Sequence, residues 1–102
     1  MNQPPVIFLP TAQAEFKEAA TWYDEQRQGL GDEFVAEVER SLDRVSEDPR
    51  RYAIIYRNTH RISLRRFPYN LFYRIYPNHI VVLAVMHGSR NPKSWKVRSD
   101  LD

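Results

Sequence analysis

The sequence predicts an α+β fold in which an N-terminal strand and a helical hairpin precede an antiparallel sheet of three to four strands. Two changes near the middle of the 102 residues support this prediction. Apolar residues recur with a helical period of about 3.6 before Pro49 and with a strand period of about 2 after it. Residues 1–48 carry 4 basic and 11 acidic side chains, whereas residues 49–102 carry 11 basic and 2 acidic ones. The length predicts a single domain over residues 1–102, which excludes a large enzyme with separate cofactor and substrate domains.

The first two predicted elements are a short strand and an amphipathic helix. The run from Val6 to Leu9 favours a strand, and the prolines on both sides of it keep that strand brief. Thr11 is the predicted N-cap of the helix, which ends near Gln28 because Gly29 follows. The apolar residues on one face of this helix are Ala12, Phe16, Ala19, Ala20 and Tyr23.

A second helix is predicted after the tight break at Gly29-Leu30-Gly31, and Asp48-Pro49 ends it. Its apolar stripe is formed by Leu30, Phe34, Val38, Leu42 and Val45. The two helices form a hairpin that covers one face of the sheet, because their stripes have nothing else to pack against. Acidic residues lie between the stripes, which is typical of a solvated helical surface.

The strands of the sheet are predicted in the second half of the chain. Residues 51–56 form either an edge strand or an extended lead-in. A half-exposed strand is predicted on the alternating residues 61–65, and two more strands run from Tyr69 to Tyr76 and from His79 to His87, with a turn at residues 77–78 between them. The apolar run 80–86 indicates that the last strand is covered on both faces.

One face of this sheet is predicted to be basic. Ile62 and Leu64 alternate with polar residues, so Arg61 and Arg65 project from the face opposite the hairpin. Guanidinium groups bind phosphates or carboxylates, and aromatic rings beside them stack on flat groups, so this pattern favours a binding surface. The alternative interpretation is an edge strand on which arginine prevents aggregation. A second basic and aromatic segment leaves the last strand and continues into a basic C-terminal tail, residues 91–102. The predicted binding residues are Arg61, Arg65, Arg66, Phe72, Arg74, Arg90, Lys93, Trp95, Lys96 and Arg98.

Several chemistries find no support in the sequence. The absence of Cys excludes disulfides and thiol nucleophiles and favours a reducing compartment, the cytoplasm. No apolar run approaches the length of a membrane span, and the N-terminus lacks the features of a signal peptide. The spacing of His60, His79 and His87 does not suit a metal site, and the three glycines do not form a phosphate-binding loop, so neither metal nor cofactor is expected.

The order of several short motifs resembles the RelE/ParE toxins of type II toxin–antitoxin systems. The resemblance spans about residues 6–98 and is strongest to the ParE, or plasmid stabilisation, branch. Its motifs are Phe8-Leu9-Pro10, Trp22-Tyr23-x-x-Gln26, Gly29-Leu30-Gly31-x-x-Phe34, Phe67-Pro68-Tyr69-x-x-x-Tyr73-Arg74 and Ala84-Val85-x-His87-x-x-Arg90-x-Pro92.

This resemblance implies a toxin that a cognate antitoxin holds inactive. ParE-like members inhibit DNA gyrase, whereas RelE-like members cleave messenger RNA on the ribosome. The RelE cleavage residues fall on Arg61, Ser63, Asn70, Gly88 and a position near Ser94 or Trp95, and only Arg61 keeps the charge. A non-enzymatic gyrase inhibitor is therefore the leading hypothesis. The alternatives are a metal-independent endoribonuclease and a non-toxic remnant that only binds its antitoxin; a nuclease would use His87, Arg61, Arg65 and Arg90.

The antitoxin is expected to carry an acidic, amphipathic C-terminal segment that folds on this chain. Its carboxylates would pair with Arg61, Arg65, Arg74 and Arg90, and its apolar face would cover exposed aromatics such as Phe72. DNA would be contacted only indirectly, through the toxin–antitoxin complex.

Overall fold

The computed structural model describes residues 3–101 and confirms the α+β class and the predicted order of the elements. A strand in residues 54–56 resolves the alternative left open for residues 51–56. The elements are β1 (Val6–Phe8), α1 (Pro10–Gln26), α2 (Leu30–Glu47), a 3₁₀ turn (Pro49–Arg51), β2 (Ile54–Tyr56), β3 (Thr59–Ser63), β4 (Tyr69–Ile75), β5 (Ile80–His87) and α3 (Lys93–Leu101).

The strands form one five-stranded sheet with the order β1-β5-β4-β3-β2. Strands β2 to β5 are an antiparallel meander, and β1 adds to β5 in parallel after the chain has crossed over through the hairpin. Strand β1 pairs only with residues 80–82 of β5, because Pro10 starts α1 two residues after the strand ends. The second half of β5 therefore has no strand neighbour on that side within the described chain.

The helical hairpin differs from the prediction at its first cap. Leu9, not Thr11, is the N-cap of α1, because Pro10 occupies the first helical position, where its missing N–H costs nothing. Gly29 adopts φ 90° and precedes α2, a conformation that favours glycine. The carboxylate of Asp24 accepts hydrogen bonds from the backbone N–H groups of Gly29 and Gly31, both at 3.0 Å, and so fixes the turn.

The main core lies between the hairpin and one face of the sheet. Tyr23 of α1 and Phe34 of α2 both contact Phe67 edge-on, and their own two rings pack against each other at a tilt of 32°. The other buried members of this core are Ala12, Ala19, Val38, Val45, Ile62, Leu64, Leu71, Tyr73, Ile80, Val82 and Val85. The predicted role of both apolar stripes is thus confirmed.

Strand β5 contains a bulge that exchanges its two faces. Tyr73 pairs with Val82 and Phe72 pairs with Ala84, so Leu83 is the extra residue on β5. Before the bulge, even-numbered residues such as Val82 face the hairpin, and after it Val85 does so. Ala84 and Met86 consequently face the opposite side, where they belong to a second, smaller core.

Helix α3 covers this second face of the sheet. Trp95 stacks on Phe72 with ring centroids 4.6 Å apart, and Tyr56 contacts the same indole edge-on. Residues 91–102 were predicted only as a basic tail, whereas 93–101 form a docked helix. Its C-terminal half is anchored by a hydrogen bond between the hydroxyls of Thr59 and Ser99 and by the Arg74 guanidinium, which donates to the Ser99 carbonyl at 3.0 Å.

Candidate functional site

A small cleft lies where the N-terminal end of α3 meets the sheet. Its volume is about 100 Å³, and we refer to it as the α3-face cleft. Strands β3, β4 and β5 contribute its walls, and the loop that leads into α3 closes one side. The residues that line it are Arg61, Asn70, Phe72, Met86, His87, Gly88, Arg90, Pro92 and Trp95.

A neutral hydrogen bond lies beside this cleft on the same face of the sheet. Ser63 on β3 is paired with Asn70 on β4, and its hydroxyl donates to the amide oxygen of Asn70 at 2.6 Å. Arg61 lies two residues before Ser63 and projects from the same face, opposite Phe72. Arg61 is therefore the charged residue of this group, whereas Ser63 and Asn70 use their polar atoms in a hydrogen bond with each other.

His87 ends β5 at the rim of the cleft. Its ring lies edge-on to Tyr69 with centroids 5.4 Å apart. The backbone N–H of Ser89 donates to the Nδ1 atom of His87 at 3.0 Å, so a neutral ring carries its proton on Nε2. The hydrogen bond holds the imidazole at the strand end.

Four predicted binding residues make contacts within the chain. Arg98 donates to both carboxylate oxygens of Glu15, at 2.7 and 2.8 Å, and to the Leu83 carbonyl at 3.1 Å. The other three are Arg66, which pairs with Glu33 at 2.6 Å, Arg74, which binds the Ser99 carbonyl, and Lys96, whose ammonium lies over the Tyr56 and Trp95 rings. These contacts fasten elements of this chain to one another, which charge patterning alone does not reveal.

The prediction that Phe72 is an exposed aromatic is wrong. Its side chain is 3% exposed, because Trp95 covers it. Trp95, a predicted binding residue, is itself buried. Both rings belong to the second core and also line the α3-face cleft.

Four predicted binding residues are exposed cations whose side chains form no hydrogen bond or ion pair within residues 3–101: Arg61, Arg65, Arg90 and Lys93. The structure brings Arg61 and Arg90 together in the α3-face cleft with His87. Lys93 begins α3, where its backbone N–H donates to the Asn91 side chain at 3.0 Å. Arg65 does not line the cleft, because β3 ends at Ser63 and the following loop turns toward the hairpin.

The position of Arg65 is set by a buried carboxylate on α2. Glu37 accepts the backbone N–H of Arg65 at 2.8 Å and pairs with Arg40 at 3.0 Å. Burial acts to raise the pKa of Glu37, but these hydrogen bonds and that of the Arg66 N–H outweigh it and hold the pKa below its ordinary value. The side-chain hydrogen bonds from Arg66 and Arg27 likewise lower the pKa of Glu33. The loop before β4 is therefore fastened to α2 by charge-assisted hydrogen bonds.

A second, larger cleft was not predicted from the sequence. It has a volume of about 310 Å³ and lies between α1 and the free half of β5. A sequence feature does point to it: Glu15 interrupts the apolar stripe of α1, three residues after Ala12 and four before Ala19. The lining residues are Glu15, Glu18, Ala19, Trp22, Tyr69, Val85, Met86, His87 and Arg90.

Residues 3–101 contain neither a metal-binding cluster nor a helix that could span a membrane. No group of three or more His, Asp or Glu side chains is placed to hold a metal ion in this part of the chain. In the same residues, no helix has the length and apolar character needed to cross a membrane.

Comparisons with known proteins identify the family. The sequence pattern of the family described as "ParE toxin of type II toxin-antitoxin system, parDE" matches residues 6–92. No curated protein sequence matches the chain.

Three solved structures share the fold. The chromosomal ParDE toxin–antitoxin system of P. aeruginosa has a TM-score of 0.73 at 12% identity, over 83% of this chain and 96% of that one. A mutant of the E. coli toxin RelE in the free state has a TM-score of 0.69 at 17% identity, over 98% of this chain and 97% of that one. The RelBE2 toxin–antitoxin complex of Mycobacterium tuberculosis has a TM-score of 0.59 at 25% identity, over 84% of this chain and 99% of that one. Because the family pattern covers most of the sequence and the fold agrees with it, this chain belongs to the ParE toxin family of type II toxin–antitoxin systems, within the RelE/ParE superfamily.

Proposed function

We propose that this toxin acts in the cytoplasm by binding a protein target, DNA gyrase, and that it is not a nuclease. The observation that supports this most directly is the neutral pair of Ser63 and Asn70 beside the α3-face cleft. Cleavage of RNA without a metal needs a base for the 2′-hydroxyl and several cations for the phosphate in the transition state. By the resemblance, Ser63 and Asn70 stand where RelE has cationic cleavage residues. In this chain the two residues are uncharged and share a hydrogen bond.

The free cations of this face suit a binding surface. Arg61, Arg90 and Lys93 are exposed around the cleft, and their side chains form no hydrogen bond or ion pair within residues 3–101. Guanidinium and ammonium groups of this kind attract acidic surfaces and orient them, because their hydrogen-bond donors remain available. We therefore assign these three residues to the contact with the target or with the antitoxin.

A supercoiling assay tests the proposed target. The purified chain is added to gyrase and relaxed plasmid, and we expect loss of supercoiling together with accumulation of cleaved DNA. The R61E/R90E double variant should need at least about tenfold more protein for the same inhibition. The R50E/R51E double variant is the charge-matched control, because both residues are exposed on the 3₁₀ turn and lie outside the cleft. Full supercoiling at a large excess of the chain would refute gyrase as the target.

The endonuclease alternative has one observation in its favour. His87, Arg61 and Arg90 line the same cleft, and the Nδ1 atom of His87 is held by Ser89. If this set is catalytic, expression without antitoxin produces translation-dependent cuts in messenger RNA that disappear in the His87→Ala variant. If neither RNA cleavage nor gyrase inhibition is found and growth is normal, the chain is a non-toxic remnant that binds its antitoxin.

The antitoxin is proposed to neutralise this toxin through an acidic, amphipathic C-terminal segment. The cations left free on the sheet face and on α3 complement such a segment. Salt screens attraction between exposed charges over about 10 Å at 0.1 M. The dissociation constant of the purified pair should therefore increase as salt is raised, and an affinity that does not change with salt would contradict the electrostatic part of this proposal.

A further inference from the structure

Strand β2 leaves an open edge on the side of the sheet that lies farthest from β1. Within residues 3–101 it pairs with β3 on one side and with no strand on the other. The Arg61 N–H donates to the Ala53 carbonyl at 3.1 Å, so these two residues form a hydrogen-bonded pair of the ladder. In an antiparallel ladder such pairs alternate with pairs whose N–H and C=O groups point away from the partner strand. Ile54, which lies opposite His60, is next in this alternation, so its N–H and C=O groups point outward.

The side chain on this edge is apolar and exposed. Ile54 has 60% of its surface exposed. Charged residues or proline normally protect an open strand edge, because an apolar edge attracts other extended chains. When a partner adds as a strand, main-chain hydrogen bonds give affinity and side-chain contacts give specificity. Ile54 offers both kinds of contact at one residue.

A group of cations lies at the α3 side of this edge. The Arg57 side chain is 70% exposed, and its guanidinium lies 5.4 Å from the centroid of the Tyr56 ring. The Lys96 ammonium lies 5.1 Å from the same centroid. Arg61 projects from β3 on this face of the sheet. Asp100 lies 3.5 Å from Arg57 and offsets one of these charges, so the surface beside β2 remains positive.

Arg57 holds a backbone conformation that favours other residue types. Arg57 and Asn58 form the two-residue turn between β2 and β3, with φ values of 42° and 63°. Turns with two positive φ values are usually formed by glycine, asparagine or aspartate, because larger side chains are strained there. Asn58 follows this preference and Arg57 does not. Strained residues of this kind concentrate at functional sites, which directs attention to the Arg57 guanidinium.

We propose that the open edge of β2 binds an extended, acidic segment of the target, gyrase, as a sixth strand of the sheet. The segment would exchange main-chain hydrogen bonds with Ile54, cover its side chain with an apolar residue and place carboxylates beside Arg57 and Lys96. This inference rests on the proposed function, because it takes gyrase as the target.

A second copy of this chain suits the edge less well than an acidic partner. In antiparallel self-pairing centred on Ile54, Arg57 of one copy would lie level with Arg51 of the other. Like charges directly opposite each other destabilise a strand pair. Carboxylates on the added strand remove this repulsion and pair with the same guanidinium groups.

The supercoiling assay with the full chain provides the first test. Ile54→Ala should raise the concentration needed for half-inhibition at least about fivefold, as loss of an interface anchor does. Ile7→Ala is the matched control, because Ile7 is 51% exposed on β1 at the opposite edge; it should change inhibition by less than about twofold. Equal potency of the two variants would overturn the inference while gyrase remained the target. No inhibition by the natural chain would refute the target and the inference together.

A variant of the turn tests the charge contribution without straining the fold. Arg57→Gly removes the guanidinium, and glycine suits a φ of 42°, so thermal stability should be at least that of the natural chain. Inhibition should weaken at least about threefold. The R50E/R51E double variant is again the control, because the Arg51 guanidinium lies over Tyr52, which packs on the hairpin side of the sheet. Stronger loss of inhibition in R50E/R51E than in Arg57→Gly would contradict the assigned surface.

Amide hydrogen exchange locates the contact directly. Exchange at the Ile54 N–H should slow at least about tenfold when gyrase is added in excess, because that N–H gains an acceptor. Unchanged exchange at Ile54 in the presence of bound gyrase would overturn the proposal. Protection of Ile54 by the purified antitoxin or by self-association at high concentration, and not by gyrase, would show that the edge has a different occupant and would equally overturn it.

Discussion

Glu15 on α1 and Arg98 on α3 form a two-pronged ion pair across the open edge of β5, with nitrogen–oxygen distances of 2.7 and 2.8 Å. The same Glu15 oxygen also accepts the Val85 N–H at 3.0 Å, and Arg98 donates to the Leu83 carbonyl at 3.1 Å. One pair of side chains thus joins the hairpin, the sheet and the C-terminal helix. Neither partner is near the other in the sequence, which is why Arg98 was interpreted as a surface cation.

Loss of this ion pair should destabilise the chain. We expect Arg98→Ala to lower the free energy of unfolding by about 2 kcal/mol, because both Glu15 and the Leu83 carbonyl lose a charge-assisted hydrogen bond. Chemical denaturation monitored by circular dichroism measures the change. Arg50→Ala, at an exposed site, should shift stability by less than about 0.5 kcal/mol. Equal stability of the two variants would show that the pair contributes nothing.

The two tryptophans should differ sharply in their effect on stability. Trp95 is buried against Phe72, so Trp95→Ala should cost about 3–5 kcal/mol and expose the second core. Trp22 is mostly exposed, and Trp22→Ala should have a far smaller effect. Thermal unfolding of both variants compares the same residue type at a buried and at an exposed site. A Trp22→Ala variant as unstable as Trp95→Ala would contradict this assignment.

The close approach of α1 and α2 depends on Gly31. A Cβ atom at this position would lie 2.5 Å from the Ala20 carbonyl oxygen and 2.9 Å from the Asp24 carboxylate, so the helices would have to separate. We expect Gly31→Ala to cost about 1–3 kcal/mol despite the higher helix propensity of alanine. Gly88→Ala is the control, since its Cβ would meet the Pro68 carbonyl at an ordinary 3.6 Å. Urea denaturation of the pair tests the difference, and stable Gly31→Ala protein would argue against close packing here.

Acid should weaken the attachment of the loop before β4 to α2. The pKa of Glu37 is lowered in the folded chain. The stabilisation of the fold by the ionised carboxylate is therefore complete above the ordinary carboxyl pKa of 4.5, and it is lost as the pH falls through the lowered pKa. We expect Glu37→Gln to cost about 1–3 kcal/mol at pH 7. The difference from the natural chain should shrink on acidification, because both then lack the charge.

The control for this prediction is Glu39→Gln, since Glu39 is exposed on the same helix. Its stability should follow that of the natural chain at every pH. Unfolding curves recorded between pH 7 and pH 3 would make the comparison, and a Glu37→Gln difference that grows as the pH falls would reverse the assigned sign.

The helical stripes, the strand periods and the family motifs are properties of neighbouring residues, and the sequence alone was enough to predict them. Phe34 and Val38 recur at helical spacing and therefore share one face in any helix, and Ile62 and Leu64 do the same in any strand. The segregation of acidic and basic residues is likewise visible without a structure. These features determine the fold class, the order of the elements and the family.

Only the tertiary structure decides which cations remain free. Arg61 and Arg98 look alike in the sequence, yet one is exposed beside the α3-face cleft and the other is paired with Glu15. The bulge at Leu83 exchanges the faces of β5, and the docking of α3 buries Phe72. Each of these outcomes depends on groups that are distant in the chain and meet only after the sheet and helices have packed. Local periodicity carries no information about these long-range contacts. The contacts determine which surface this toxin presents to its partners.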